Sequence, residues 1–153
     1  MTVYGISDTP RITTGFDEVF ARGELKRLAA LADFLVLIVP HSPKTEKLID
    51  AAVLAAMKSS AFLINVARGG VLDEDALLEA LRQKRIAGAA LDVFRTQPLP
   101  KDHPLWHEDN VIITPLIGGM SDVYLAQAYP VVRDNLRLFL DSQLTAMKNV
   151  VPH

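Results

Sequence analysis

The feature that most constrains the fold is an alternation of short apolar runs with amphipathic helical segments along the whole chain. Strand-length runs occupy residues 3–7, 16–20, 34–39, 61–66, 86–93 and 111–114. Helical spacing of leucines and alanines separates most of them, as in residues 24–32, 51–57 and 73–82. A strand–helix alternation of this kind predicts an α/β fold with a parallel, doubly wound sheet and right-handed crossovers.

Local signals define several of these elements. The run 34–39 (FLVLIV) is apolar at every position, which predicts a parallel strand buried on both faces. Asp73 is placed to cap a helix whose first turn carries two acids. Ser121 is predicted to cap a long last helix that runs to about Leu140, and Pro130 should kink it.

Composition excludes several classes of protein. The 153 residues suit one domain, and the net charge of −2 with no basic run argues against nucleic-acid binding. No apolar run reaches the roughly 18 residues of a membrane span. No signal peptide is visible, so we expect no membrane association and a cytoplasmic location. The chain has no cysteine.

Three motifs follow predicted strands in a fixed order. The first is residues 65–70 (NVARGG), and the second is residues 90–94 (ALDVF) continuing to 97–100 (QPLP) and 103–106 (HPLW). The third is residues 111–119 (VIITPLIGG). Together they resemble the NAD-binding domain of the D-isomer-specific 2-hydroxyacid dehydrogenases, in particular the glyoxylate/hydroxypyruvate reductase branch.

The resemblance implies a three-part catalytic site of arginine, glutamate and histidine. Arg68 stands at the position of the arginine that grips the substrate carboxylate. Gln97 stands in place of the glutamate, and Leu116 stands in place of the proton-transferring histidine. Gln97 supplies no charge and Leu116 transfers no proton, so we expect impaired catalysis and a buried packing role for Leu116.

The family's phosphate-binding turn is the other departure. A dinucleotide-binding fold opens with a strand and a G-x-G-x-x-G turn, yet the chain contains no G-x-G. Its first strand, residues 3–7, matches the family's second strand. We therefore expect residues 1–153 to form one partial nucleotide-binding domain: an incomplete Rossmann-like sheet without the first βα unit, truncated at the N-terminus and without a substrate domain.

The resemblance also implies which residues contact the cofactor, NAD or NADP. These positions are Asp8, Val39, Pro40, Val66, Ala67, Arg68, Asp92, Gly118 and Gly119. Asp8 would favour NAD by bonding the adenosine ribose, but it is equally suited to forming a turn before Thr9 and Pro10. Asp92 is equally suited to contacting the cofactor and to accepting hydrogen bonds from backbone amides. Arg68 is either a substrate clamp or a relic of one.

The histidines do not predict a metal site. His103 and His107 are four residues apart, but Pro104 interrupts a regular helix and no third ligand is near. His41 follows Pro40 at the end of a predicted strand and is the histidine nearest the cofactor cleft. It is most simply explained as an exposed loop side chain.

Three hypotheses of function follow. The chain is a truncated, catalytically impaired dehydrogenase domain with weak or no NAD binding, a non-enzymatic nucleotide-binding or protein-interaction module, or a residual oxidoreductase in which water or His41 replaces Leu116. The missing central strand predicts that residues 3–7 and 34–39 either pair directly or are covered by a second chain. We expect a homodimer, with the last helix contributing apolar surface.

Overall fold

A computed structural model describes residues 1–150, which fall into two compact units, Met1–Leu116 and the segment from Ile117 onward. The strands of the first unit are β1 (Tyr4–Ser7), β2 (Glu18–Ala21), β3 (Phe34–Leu37), β4 (Phe62–Asn65), β5 (Gly88–Leu91) and β6 (Val111–Ile113). Its α-helices are α1 (Leu25–Ala29), α2 (Ala51–Ala56) and α3 (Glu74–Arg82). The second unit contains α4 (Tyr124–Leu140).

All strand pairing within residues 1–150 is parallel. The strands β3, β4, β5 and β6 form a four-stranded sheet in sequence order, and β1 pairs with β2 in a separate two-stranded sheet. Phe34 is in register with Phe62, which in turn is in register with Gly88. The parallel α/β, Rossmann-like fold predicted from the alternation of elements is confirmed, as is the long C-terminal helix.

No ladder joins β1 to β3 in residues 1–150. β1 pairs only with β2, and β3 pairs only with β4. The other edge of β1 and the other edge of β3 therefore carry no strand. The two sheets are nevertheless linked, because Ile6 packs against the main core and Arg22 donates from Nη1 to the carbonyl oxygen of Lys44 at 2.7 Å. Direct pairing of these two strands, one of the two predicted outcomes, does not occur.

The core lies on one face of the four-stranded sheet. Leu37 and Leu63 point to this face and are buried, Leu63 with 0% of its surface exposed. Helices α1, α2 and α3 supply the other layer through the buried side chains Leu25, Ala29, Val53, Leu54, Leu77, Ala80 and Leu81. We call this the covered face.

The opposite face of the same sheet, which we call the open face, is exposed and apolar. Phe34 is 61% exposed and stacks on Phe62 with ring centroids 5.8 Å apart. The large side chains of the open face are Phe34, Val36, Ile38, Phe62, Val66 and Ile112. The prediction that residues 34–39 are buried on both faces is therefore wrong, because all three helices of this unit lie on the covered face.

The predicted helix caps have different outcomes. Asp73 caps α3, accepting a hydrogen bond from the backbone N–H of Ala76 at 3.2 Å, as predicted. Ser121 does not cap α4, which begins at Tyr124 after Val123. The Ser121 hydroxyl instead accepts from the N–H of Val123 at 3.3 Å, so it stabilises the turn before the helix.

The second unit is dominated by α4. The helix has 17 residues, includes Pro130, and has no buried side chain. Its large exposed side chains are Tyr124, Leu125, Tyr129, Val132, Leu136, Phe139 and Leu140. None of the helices in the described part of the chain is long and apolar enough to cross a membrane.

Candidate functional site

The loops that follow β3, β4 and β5 leave the same edge of the sheet, because the strands are parallel. Ligands of open α/β sheets bind outside these carboxyl ends. The edge carries Val39 and Pro40 after β3, Val66 to Arg68 after β4, and Asp92 after β5. Sequence reasoning placed candidate residues at all three points.

A buried amide shapes the turn after β4. Asn65 is 0% exposed, and its Oδ1 accepts from the N–H of Ala67 at 3.1 Å, while its Nδ2 donates to the carbonyl oxygen of Arg68 at 3.3 Å. Ala67 is buried by this turn, and the Arg68 side chain is exposed. The guanidinium of Arg68 donates from Nη1 to the carbonyl oxygen of Ala67 at 2.6 Å.

The two glycines that follow have different neighbours. A Cβ at Gly69 would lie 1.9 Å from the backbone carbonyl carbon of Phe94, so only glycine permits this approach of two loops. A Cβ at Gly70 would lie 2.6 Å from Nε2 of His41. Gly69 thus admits the loop after β5, and Gly70 admits the imidazole.

The loop after β3 is held by Thr45, which is buried. Its hydroxyl donates to the carbonyl oxygen of Pro40 at 2.7 Å and accepts from the N–H of Ser42 at 2.8 Å. The N–H of Glu46 donates to the carbonyl oxygen of Ser42 at 2.9 Å. This single helical turn brings the carboxylate of Glu46 against Nε2 of His41.

The contact with His41 changes the acidity of Glu46. The hydrogen bond from the imidazole holds the pKa of the Glu46 carboxyl below its usual value, with smaller contributions from the charges of Arg95 and Lys47. Sequence reasoning placed His41 near the cleft but missed Glu46. No sequence signal identifies Glu46, because its approach to His41 depends on the loop conformation that Thr45 holds.

The three loops enclose a cleft of about 400 Å³. Arg68 and Gln97, two of the three positions carried over from the family's catalytic site, line it together. The remaining polar residues of its wall are His41, Glu46 and Arg95.

Leu116, the third carried-over position, does not line this cleft. Its backbone is left-handed, with φ of 58°, and its side chain is 55% exposed. The predicted packing role is therefore wrong. The N–H of Leu116 donates to the carbonyl oxygen of Asp92 at 3.1 Å, which fixes the chain at the end of β6 and directs the side chain outward.

Asp92 is buried beside this segment. Its Oδ1 accepts from the hydroxyl of Thr114 at 2.5 Å, and its N–H donates to the carbonyl oxygen of Asn65 at 3.0 Å. Asp92 thus ties the end of β5 to both neighbouring strands. Gly118 and Gly119 belong to the second unit.

Asp8 forms an ion pair that sequence reasoning missed. Its Oδ2 accepts from Nη2 of Arg22 at 2.7 Å, while the Ser7 hydroxyl accepts from the N–H of Thr9 at 3.3 Å. The parallel register aligns Ser7 with Ala21, so the next residue of each strand lies side by side. A predicted parallel pairing of the first two strands would have identified Arg22.

His103 has a local structural contact. Its Nδ1 accepts from the N–H of Leu105 at 3.3 Å and caps the short 3-10 helix Pro104–His107. Within residues 1–150, no three histidine or carboxylate side chains converge as metal ligands would.

Comparison with known proteins identifies the family. Residues 1–118 match the family described as "D-isomer specific 2-hydroxyacid dehydrogenase, NAD binding domain". A D-3-phosphoglycerate dehydrogenase of Methanocaldococcus jannaschii is 42% identical over 128 residues, which are 84% of this chain and 24% of the relative. A glyoxylate/hydroxypyruvate reductase B of Pectobacterium carotovorum is 50% identical over 98 residues, or 64% of this chain and 31% of the relative.

A solved structure gives the same result. The D-isomer specific 2-hydroxyacid dehydrogenase of Xanthobacter autotrophicus Py2, in complex with NADPH and MES, has a TM-score of 0.84 and 38% sequence identity. It covers 92% of this chain, whereas the match covers 57% of that protein. This chain spans less than a third of the length of the two curated relatives above. The chain belongs to the NAD-binding domain family of the D-isomer-specific 2-hydroxyacid dehydrogenases.

Proposed function

We propose that the chain is a dinucleotide-binding domain of a 2-hydroxyacid dehydrogenase in which proton transfer by the family's route is impaired. The observation that carries this proposal is Leu116 at the histidine position. A leucine side chain has no proton to transfer, and this one lies outside the cleft that contains Arg68 and Gln97. Loss of a general acid typically lowers the rate by about a hundred- to ten-thousand-fold.

The cofactor proposal rests on the carboxyl edge of the sheet. Residues 65–70 form a turn that includes Gly69, where any side chain would clash with the neighbouring loop. Asp8 and Arg22 lie together after β1 and β2, so this point offers a carboxylate for a ribose hydroxyl and a guanidinium for a ribose phosphate. Binding of either NAD or NADP is consistent with that pair, and the Xanthobacter relative is a complex with NADPH.

The proposed binding lacks the usual contact with the cofactor's pyrophosphate. A G-x-G-x-x-G turn holds it in dinucleotide-binding folds, and the sequence contains no G-x-G. We therefore expect affinity for NAD(H) and NADP(H) to be weak or absent. Calorimetric titration of the purified chain with NADH and NADPH tests this, and tight saturable binding at micromolar ligand would contradict it.

A pair of substitutions tests the catalytic part. Reduction of glyoxylate or hydroxypyruvate, followed at a fixed NADPH concentration, should be negligible in the natural chain. The double variant Leu116→His/Gln97→Glu should reduce these substrates at least about tenfold faster than the natural chain. The two substitutions supply the imidazole and the carboxylate of the family's proton-transfer route. Leu136→His, which places a histidine on exposed α4, is the matched control. Appreciable turnover by the natural chain would contradict the proposal.

The alternative, a protein-interaction module, is supported by the open face. Six large apolar side chains are exposed there, and the neighbouring edge of β3 has no strand partner in residues 1–150. Exposed apolar patches of this kind are typical of association surfaces. We propose that a second copy of the chain covers the open face to form a homodimer. Sedimentation velocity across micromolar concentrations tests this, and a strictly monomeric species would contradict it.

A further inference from the structure

His41 is built into the wall of the cleft. The buried Thr45 fixes the loop that carries it, and Glu46 binds Nε2 of the ring. The ring also lies directly on the backbone of Gly70, because a Cβ there would be only 2.6 Å from Nε2. The side chain is 45% exposed, as expected of a loop histidine, but its ring is held by Glu46 and lies against Gly70.

Two guanidinium groups share the cleft with this imidazole. Arg68 and Arg95 line it, and neither forms an ion pair with a side chain in the described residues. The charge of Arg95 reaches Glu46, where it contributes to the lowered pKa of that carboxyl. The cleft therefore offers cationic donors beside a histidine whose orientation is fixed by a carboxylate.

We propose that His41, positioned by Glu46, donates a hydrogen bond to the keto oxygen of a 2-oxo acid bound in this cleft. The choice of ligand rests on the proposed function, and its chemistry matches the wall. A 2-oxo acid presents a carboxylate, which guanidinium groups bind by two parallel hydrogen bonds, and an adjacent carbonyl oxygen. Nε2 shares its proton with Glu46, so Nδ1 donates to the ligand in the doubly protonated form of the ring.

This arrangement uses a carboxylate to orient an imidazole toward a ligand, as catalytic triads do. It differs from the family's arrangement, in which the histidine and glutamate would stand at residues 116 and 97. His103 is bonded to Leu105, and neither it nor His107 lines the cleft. Of the histidines in residues 1–150, His41 is thus the one that lines the cleft with Arg68.

Titration with oxamate, an unreactive analogue of 2-oxo acids, tests the proposal without any cofactor. Oxamate should saturate the purified chain at millimolar concentration and shift the NMR signals of the His41 ring. His41→Gln should raise the dissociation constant about tenfold, the effect of one lost hydrogen bond to a charged or polar ligand. His107→Gln is the matched control and should leave the constant unchanged.

Two further measurements distinguish the positioning of His41 by Glu46 from the effect of the negative charge of Glu46 on anion binding. Glu46→Gln removes a negative charge from an anion site, so stronger oxamate binding in that variant would overturn the positioning role. Weaker binding, by several-fold, is the expected result. The pKa of Glu46, followed by carboxyl ¹³C shifts, should rise toward its usual value in His41→Gln if the pair forms in solution.

The remaining arms define the ligand. Acetate or inorganic phosphate binding as tightly as oxamate would mean a general anion site and would overturn the proposal. Equal oxamate affinity in the natural chain and His41→Gln would also overturn it. NADH and NADPH are titrated into the same samples, so that tight dinucleotide binding would contradict the expected weak cofactor affinity alone, while the oxamate constants decide the role of His41.

Discussion

The two faces of the four-stranded sheet are equally apolar in sequence and opposite in environment. On the covered face, Leu63 packs under three helices and is fully buried. On the open face, Phe62, the residue before it, is exposed together with Phe34. An apolar strand residue thus indicates a face that can be buried, whereas its contribution to stability depends on the layer that covers it.

The largest expected effect is on the covered face. Leu63→Ala should lower the free energy of unfolding by about 3 kcal/mol, because it removes buried methyl groups and leaves a cavity. Phe62→Ala, its neighbour on the open face, should cost under about 1 kcal/mol, since much of that ring is already in water. Urea unfolding of both variants measures the difference. Equal losses would show that the open face is also covered in solution.

A charge on the open face tests what covers it. If a second copy does, Val36→Glu should raise the dissociation constant of the dimer about a hundredfold, equivalent to about 2.7 kcal/mol. Its unfolding free energy, extrapolated to the monomer, should change far less than that of Leu63→Ala. Sedimentation velocity gives the constant, and Lys101→Glu, at an exposed position, is the control. A dimer unaffected by Val36→Glu would place the interface elsewhere.

An intermediate effect is expected at the start of α3 on the covered face. Asp73→Ala removes a cap and the 2.8 Å ion pair with Lys47, and should lower the free energy of unfolding by about 1–2 kcal/mol. Asp75→Ala, an exposed acid in the same first turn, should cost a few tenths. Thermal unfolding compares the two, and equal costs would mean that the cap is unimportant.

The effect of Asp73 should depend on pH. The hydrogen bond from Lys47 holds the pKa of Asp73 below its usual 3.8, with the Ala76 N–H contributing. A lowered folded-state pKa adds stability above the unfolded value, and this stability is lost as the pH falls through the folded value. The difference in unfolding free energy between the natural chain and Asp73→Ala should therefore decrease below about pH 4. A gap that stays constant down to pH 2 would contradict this linkage.

The smallest effect is expected at Leu116, whose side chain is largely in water rather than in a core. Leu116→Asn should raise the free energy of unfolding by about 0.5–1 kcal/mol, because asparagine tolerates a left-handed backbone better than leucine. Leu31→Asn, at another exposed leucine with no positive φ, should give no gain. Thermal melts compare the variants, and a loss of stability in Leu116→Asn would show that its side chain packs in solution.

Local patterns in the sequence were sufficient for the elements and for much of the site. The strands and helices were predicted to within a few residues, and Asp73 was identified as a cap, because backbone periodicity and capping are short-range properties. The placement of Arg68 and Gln97 at the edge of the sheet followed from motifs that each come directly after a strand. Asp8 with Arg22, and His41 with Glu46, were missed because each pair is made by loops whose shape depends on packing.

The sequence by itself determined a parallel α/β domain of a dehydrogenase family, with a leucine, Leu116, where the resemblance implies a histidine. Those conclusions depend on residue identity and spacing, which folding does not alter. The tertiary structure decided that β1 and β3 do not pair with each other, that one sheet face is exposed, and that His41 and Arg68 line one cleft. These outcomes depend on which apolar surfaces find partners, a property of the packed chain as a whole.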